Sequence, residues 1–417
     1  MIIVQIVLIA LIGLAFRELK KSSRDIALII ALFAVVSAGF GYVYWGLETK
    51  VIIRYFGVAL FFMWLLSPSH NINQNFRGYV LALAFVPFLS TFNSYVLYGQ
   101  SFISSMTMLT PSLLWLFYFV LHRWKVKEAA ILKAFLYIAL FVVAIQIIQQ
   151  FTYPVAYFGV DAEEEVLAGE EIASNRNGLW RFSIGHNGFY TAIALFSLWV
   201  NANIKMKKTY MFVIGLLLVS IYLTLTRQVI FSVILTFFCY YFIKKERIKL
   251  WSLLFGLSIL AGLYMYSDVL FGEFARMTRE DATSSYVRVL EAKYYWDETF
   301  HSIPTIFLGH GIAHSGEFMR FQQELRDIFH FYTSDVGFIG QIWTYGIFYV
   351  IICYDLLFTL FFKWKRMIPT YIRLFVLFTS FMSIMIFPMA KPVPYLIWCF
   401  LLYICDIHIN QSMKTKP

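Results

Sequence analysis

Charge is what this chain lacks most: only 14% of its 417 residues are Asp, Glu, Lys or Arg, against roughly a quarter in soluble globular proteins. That shortage excludes the soluble classes. The chain also lacks a phosphate loop of the form GxxxxGK[ST], an HExxH pair, any internal repeat and any Gly/Ser linker or low-complexity tract. Readings as a cytoplasmic nucleotide-driven enzyme, a zinc protease or a solenoid fall away with them. Cysteine is scarce too. Cys239, Cys353, Cys399 and Cys405 all lie in apolar runs without metal-ligand spacing, so they read as core residues and say little about redox compartment.

What the chain has is apolar sequence in long blocks. Hydrophobic residues make up 60% of it, the mean hydropathy is +0.70, and the runs approach the roughly 20 residues that a helix needs to cross a hydrocarbon core of about 30 Å. Stretches such as 26–40 and 134–148 are apolar on every side, whereas barrel strands would alternate. The expected fold is therefore all-α: one membrane domain over 1–417, a polytopic helical bundle in the lipid bilayer. Thirteen spans are expected, near 2–16, 26–45, 51–66, 79–96, 102–121, 130–149, 187–200, 210–226, 229–243, 250–266, 336–361, 371–387 and 395–408. The run 210–243 is too long for one crossing, and Thr226-Arg227-Gln228 in its middle offers a tight turn between two helices.

The first apolar run precedes a basic cluster (Arg17, Lys20, Lys21, Arg24), the reverse of a signal peptide, so it is expected to be a retained helix with the N-terminus outside. In that orientation the inner segments carry 21 of the 34 basic residues, while the short outer turns carry only Lys50, Arg227 and Lys391. The C-terminus then lies inside. The net charge of +10 is mostly a topogenic signal and no argument for nucleic acid.

Two outer segments stand out by length, 151–186 and 267–335, and long loops are usually functional or disordered. The first opens with an acidic stretch from Asp161 to Glu171. In the second, Thr283-Ser284-Ser285 can cap a helix running through Thr299, and 317–331 has a mixed helical pattern. Between them, Pro304 to Gly311 reads as a turn. The inner loops are too short to hold a nucleotide-binding unit, so chemistry is expected on the outer face with a substrate that arrives activated.

The candidate residues sit there, each with a plainer alternative. Arg227 at the hairpin tip is either a snorkelling side chain or an anion ligand, since a planar guanidinium suits phosphate oxygens. Arg176 and Arg181, flanking Trp180, form an interfacial belt or bind phosphate, and His186 and Asn187 can cap the next helix. Arg288 pairs with Glu291 three residues on along one helix face, or it serves the site. His310 and His314 have metal-like spacing, but the glycines around them argue against a shared helical face. His310 or Asp335 can instead take a proton from a sugar hydroxyl, and Asp335 can equally cap the helix that follows it.

The order of these features resembles the O-antigen polymerase and ligase superfamily, the Wzy-like and WaaL-like membrane glycosyltransferases. The resemblance lies in Leu225-Thr226-Arg227-Gln228, in Arg181 through Gly185-His186-Asn187-Gly188, and in Arg288 followed by Trp296, Pro304 and Phe307-Leu308-Gly309-His310-Gly311. It continues in Ser334-Asp335-Val336-Gly337-Phe338 and Tyr345-Gly346. It implies a GT-C-like fold in a bacterial cytoplasmic (inner) membrane, an undecaprenyl-diphosphate-linked oligosaccharide as substrate, and no cofactor, metal or nucleotide. A flippase and a chain-length regulator of the same pathway are the implied partners. Arg227, Arg288, Arg181 and Arg176 would hold the diphosphate, and Asp335, His310 and Arg288 would be catalytic. Ligase-type members carry His-Asn where this chain has Ser334-Asp335, which leans the reading toward a polymerase. A ligase, or a flippase of the lipid-linked glycan, is the alternative. Transporters carry ionisable groups near mid-membrane and repeated halves, and here Arg54 is the one basic residue well inside an expected span.

Overall fold

A computed structural model of the chain describes residues 21–42, 48–66, 74–159, 174–176, 178–182, 184, 187–202, 208–244 and 282–414. The expected spans 2–16 and 250–266, the acidic stretch 161–171 and His186 lie outside them. In chain order the helices are α1 (Lys21–Val36), α2 (Thr49–Leu66), α3 (Arg77–Phe85), α4 (Ser90–Tyr98), α5 (Phe102–Leu109), α6 (Phe117–Trp124) and α7 (Glu128–Thr152). A short hairpin follows, β1 (Ser174–Arg176) and β2 (Leu179–Arg181). Then come α8 (Asn187–Ala202), α9 (Lys208–Leu223), α10 (Arg227–Lys244), α11 (Ala282–Phe300), α12 (Ile303–Leu308) and α13 (Gly316–Phe329). The chain ends in α14 (Gly337–Tyr345), α15 (Ile347–Phe358), α16 (Thr370–Met382) and α17 (Pro392–Lys414).

Two proline-led 3-10 segments, Val86–Leu89 and Thr110–Leu116, join α3 to α4 and α5 to α6. Pro87 and Pro111 have no N–H to give to the carbonyl four residues back, so the helix tightens there without stopping. Continuous helices over Arg77–Tyr98 and Phe102–Trp124 result, and with Glu128–Thr152 and Pro392–Lys414 they are long and apolar enough to cross a membrane. Gly188–Asn201, Lys208–Leu223, Arg227–Tyr241 and Thr370–Met382 are shorter apolar helices. The described chain is thus a helical membrane protein.

Three expected spans differ in detail, the first being 26–45, whose helix ends at Val36 because Gly39 and Phe40 turn left-handed at φ +61° and +62°. The run 336–361 is broken at Gly346, whose φ of +83° suits glycine and whose missing side chain leaves room for the Phe307 carbonyl. The run 371–387 is helical only to Met382, because the segment after it turns to receive the Phe338 amide on the Ser383 carbonyl at 3.1 Å.

The chain packs as two compact units. In the first, α7 is apolar around its circumference and packs against α1, α8 and α9. Phe33 of α1 sits 5.6 Å from the ring of Phe135 and edge-on to Tyr190 at 5.3 Å. Several polar groups inside this unit pair with one another: Ser220 donates to Gln146 at 2.5 Å with Thr191 3.5 Å away, and buried Asp25 accepts from the Trp124 indole at 3.0 Å. Unpaired, such groups would cost roughly 1–3 kcal/mol each.

The second unit is built around α17, whose residues from Val393 to Asp406 are almost all buried. Buried Asp406 accepts from the backbone and side-chain amides of Asn75, at 3.0 and 2.9 Å, and from the Tyr118 hydroxyl. It thereby ties the chain ahead of α3 to α17. Helix α10 packs along α16, and α11, α12 and α14 pack together.

Candidate functional site

The long polar segment folds by the same rules as the spans, on a smaller apolar core. Tyr295 of α11, Phe318 and Leu325 of α13, and Val336 and Trp343 around α14 are all buried together. Tyr98, the last residue of α4, stacks on Phe318 with ring centroids 3.9 Å apart. Helix α11 starts at Ala282, so Thr283-Ser284-Ser285 lie inside the helix they were expected to cap. Helix α13 starts at Gly316 and ends at Phe329, with His330 turning left-handed.

The stretch from Pro304 to Gly311 is more than the expected turn. Ser302 caps a short helix by accepting from the Thr305 amide, and proline is tolerated in that first turn. Past it the irregular backbone is engaged at many points by its neighbours. Asn93 donates to the carbonyls of Pro304 (3.0 Å) and Gly309 (2.7 Å), and Ser94 donates to that of His310 (2.8 Å). The amides of His310 and Gly311 donate to the carbonyls of Trp343 (2.6 Å) and Thr344 (2.9 Å). Gln100 donates to the Ile312 carbonyl and accepts from the His314 amide. Gly311 has a φ of +87°, and a side chain there would strike Ser94.

His310 is committed to this packing. Its ring is buried, stacks on Trp343 at 4.8 Å and shares a 2.7 Å hydrogen bond between Nδ1 and the Tyr98 hydroxyl. Burial lowers its pKa to about 4, and the nearby Glu298 backbone offsets only part of that. The ring is therefore neutral at ordinary pH.

Arg288 and Asp335 are brought together from positions 47 residues apart in sequence. The guanidinium lies 3.9 Å from the carboxylate, and both side chains are nearly half exposed. An ion pair that open is worth about 0–1 kcal/mol, so it is no structural staple and both groups remain available to a ligand. The expected partner of Arg288, Glu291, is instead buried and accepts the Tyr332 amide. Burial raises its pKa to about 7, helped by the Asp335 charge and opposed by the Tyr332 hydrogen bond and Arg288. Asp335 does not cap α14: the cap position is Val336, without a side-chain bond, and Asp335 accepts from Ser334 at 3.2 Å.

Glu291 is a residue whose role sequence reasoning missed, reading it only as an ion-pair partner of Arg288. Its signal was a carboxylate on the same helix face as Tyr295 and Thr299, the face that becomes buried. Lys391 is a second: desolvation lowers its pKa, and the charge of Asp335 works the other way. Tyr332 and Ser334, the hydrogen-bond partners of Glu291 and Asp335, line a pocket of about 200 Å³ together with Tyr295, Gln322, Arg326, Phe331 and Thr333.

Arg227 opens α10 after a break at Leu225, whose φ is +47°. Its neighbour Gln228 donates to the Met385 sulfur at 3.2 Å, in the same turn whose Ser383 carbonyl receives Phe338. The start of α10 therefore lies beside the turn that also receives the start of α14. Arg176 and Arg181 sit on a β-hairpin, not on an irregular run into the next helix. Gly178 turns between the strands at φ +74°, and Asn-Gly is a strong hairpin signal in the sequence. Among the described residues no group of three His, Cys, Asp or Glu is placed to hold a metal.

No family model matches this chain, and no curated protein sequence matches it.

Proposed function

We propose that the protein is a membrane glycosyltransferase that joins lipid-diphosphate-linked oligosaccharide repeat units, a polysaccharide polymerase of the outer face of a bacterial cytoplasmic membrane. The observation that carries this reading is the Arg288–Asp335 pair, open to a ligand and backed by Glu291 beside a pocket of sugar-ring dimensions. The thirteen crossings expected from the sequence, with the N-terminus outside, put the pair on the outer face too.

In the proposed reaction an acceptor sugar hydroxyl gives its proton to the Asp335 carboxylate. Its oxygen attacks the anomeric carbon of the donor, the bond from that carbon to the diphosphate oxygen breaks, and the lipid diphosphate leaves with the electron pair. Direct displacement inverts the anomeric centre. Arg288, with Arg227, Arg181 and Arg176, neutralises the charge on the leaving group, as preorganised donors do for a developing oxyanion. Glu291 acts as a positioning residue, holding the 331–335 segment through the Tyr332 amide. His310, buried and neutral, is left out of the proton transfer and assigned to holding α14 against α4.

The test is purified protein in lipid vesicles supplied with a lipid-linked repeat unit. A ladder of products supports the polymerase; a single transfer to a different acceptor makes it a ligase; movement of the glycolipid without a new bond makes it a transporter.

A further inference from the structure

One face of the 282–308 segment is apolar and exposed among the described residues. On α11, Val289, Lys293, Trp296 and Phe300 recur at helical spacing and share a face, opposite the buried Glu291, Tyr295 and Thr299. Val289 is 66% exposed, and Trp296 and Phe300 stack on each other in the open with centroids 4.3 Å apart. The stripe continues onto α12 through Ile303, 71% exposed, and Phe307.

Depth is set by Asn93. Its side chain holds the carbonyls of Pro304 and Gly309, and it lies five residues before Tyr98, the last residue of the span Arg77–Tyr98. At 1.5 Å per residue, that places α12 about 7.5 Å inside the Tyr98 end of the span. Irregular backbone survives at such a depth only when protein satisfies it, and every bond described for 304–314 does so. Phe307 also stacks on Phe348 of α15 at 5.0 Å, and Phe348 is itself exposed on an apolar helix. The stripe is continuous with the surface that the membrane helices turn outward.

We infer that the α11–α12 elbow is seated in the bilayer, with Phe300, Ile303 and Phe307 among acyl chains and Trp296 at headgroup depth. The occupant of this face is lipid. Aromatic and aliphatic side chains on one face suit an interfacial helix, and Lys293 reaches outward along its stem to the phosphates. The elbow anchors the segment that carries Arg288 and Glu291, and it does so whether or not the chain transfers glycan.

The experiment places a nitroxide label at Ile303→Cys and, separately, at Phe300→Cys in full-length protein reconstituted in phosphatidylcholine–phosphatidylglycerol vesicles. Collision with oxygen is compared with collision with a water-soluble nickel chelate, after subtracting the signal of the unsubstituted chain. Ile351→Cys on α15 and Gln323→Cys on α13 are the lipid and water references. Both elbow labels are expected to follow Ile351, losing the nickel broadening seen at Gln323 and gaining oxygen broadening. Nickel access equal to that of Gln323 overturns the inference; so does protection from both reagents, which would mean a protein partner or a second copy covers the face.

Discussion

The Tyr332 amide donates its hydrogen to the carboxylate of Glu291, and this one bond joins the middle of α11 to the segment that presents Asp335. Glu291 is buried and holds its proton up to a pH of about 7, so the bond sits at a titrating group.

The consequence for stability has a defined sign. Glu291 has its pKa raised from 4.5 to about 7, so its contribution is full below pH 4.5 and is lost as pH rises through 7. His310 has its pKa lowered from 6.5 to about 4, so its contribution is full above pH 6.5 and is lost as pH falls toward 4. Between 4.5 and 6.5 the two oppose each other. Glu291→Gln, which keeps an oxygen for Tyr332, should lose stability more steeply on acidification than the unsubstituted protein, and His310→Gln less steeply. Thermal melts in detergent from pH 4 to 8 check this, and parallel pH slopes for the three proteins would refute both assignments.

Arg288→Ala and Asp335→Asn should stop polymer growth while leaving thermal stability within about 1 kcal/mol, because the pair is exposed. Loss of a proton acceptor lowers rates by about 10²–10⁴-fold. Arg288→Lys should retain part of the activity, as a point charge without the planar fork. Full-length polymer from Arg288→Ala in the vesicle assay would remove that residue from the mechanism.

Asn93→Ala leaves the Pro304 and Gly309 carbonyls without their donor. Buried unpaired acceptors cost roughly 1–3 kcal/mol each, so a loss of at least that size is expected, concentrated in the segment 303–314. Faster hydrogen exchange at the His310 and Gly311 amides than at α17 would register it. Gly311→Ala should do the same, since a left-handed backbone costs an L-residue roughly 1–2 kcal/mol even before the contact with Ser94.

Asp406→Ala strips acceptors from Asn75 and Tyr118 at once, deep in the second unit. A loss of roughly 1–3 kcal/mol for each donor left unpaired is expected. Asp406→Asn, which retains one carbonyl oxygen, should lose less in the same melts. Equal melting temperatures for the two variants would mean that the carboxylate contributes no more than its volume.

Much was legible in the residues taken in order. Apolar run length and low charge determined helices in a membrane, because the hydrocarbon core leaves the backbone few other ways to satisfy itself. The break before Arg227, the helical character of 282–300 and 316–329, and Arg288 and Asp335 as candidates all came from local pattern. The turn at Gly178 and the Ser302 cap are equally local signals. Burial and pairing were decided elsewhere. Glu291 and Arg288 are neighbours on one helix, yet the first is buried on Tyr332 and the second faces Asp335, because the α13–α14 core covers only one side of α11. The neutral His310, the split at Gly346 and the descent of α12 beside Asn93 likewise depend on contacts between residues tens to hundreds of positions apart, which no spacing along the chain encodes.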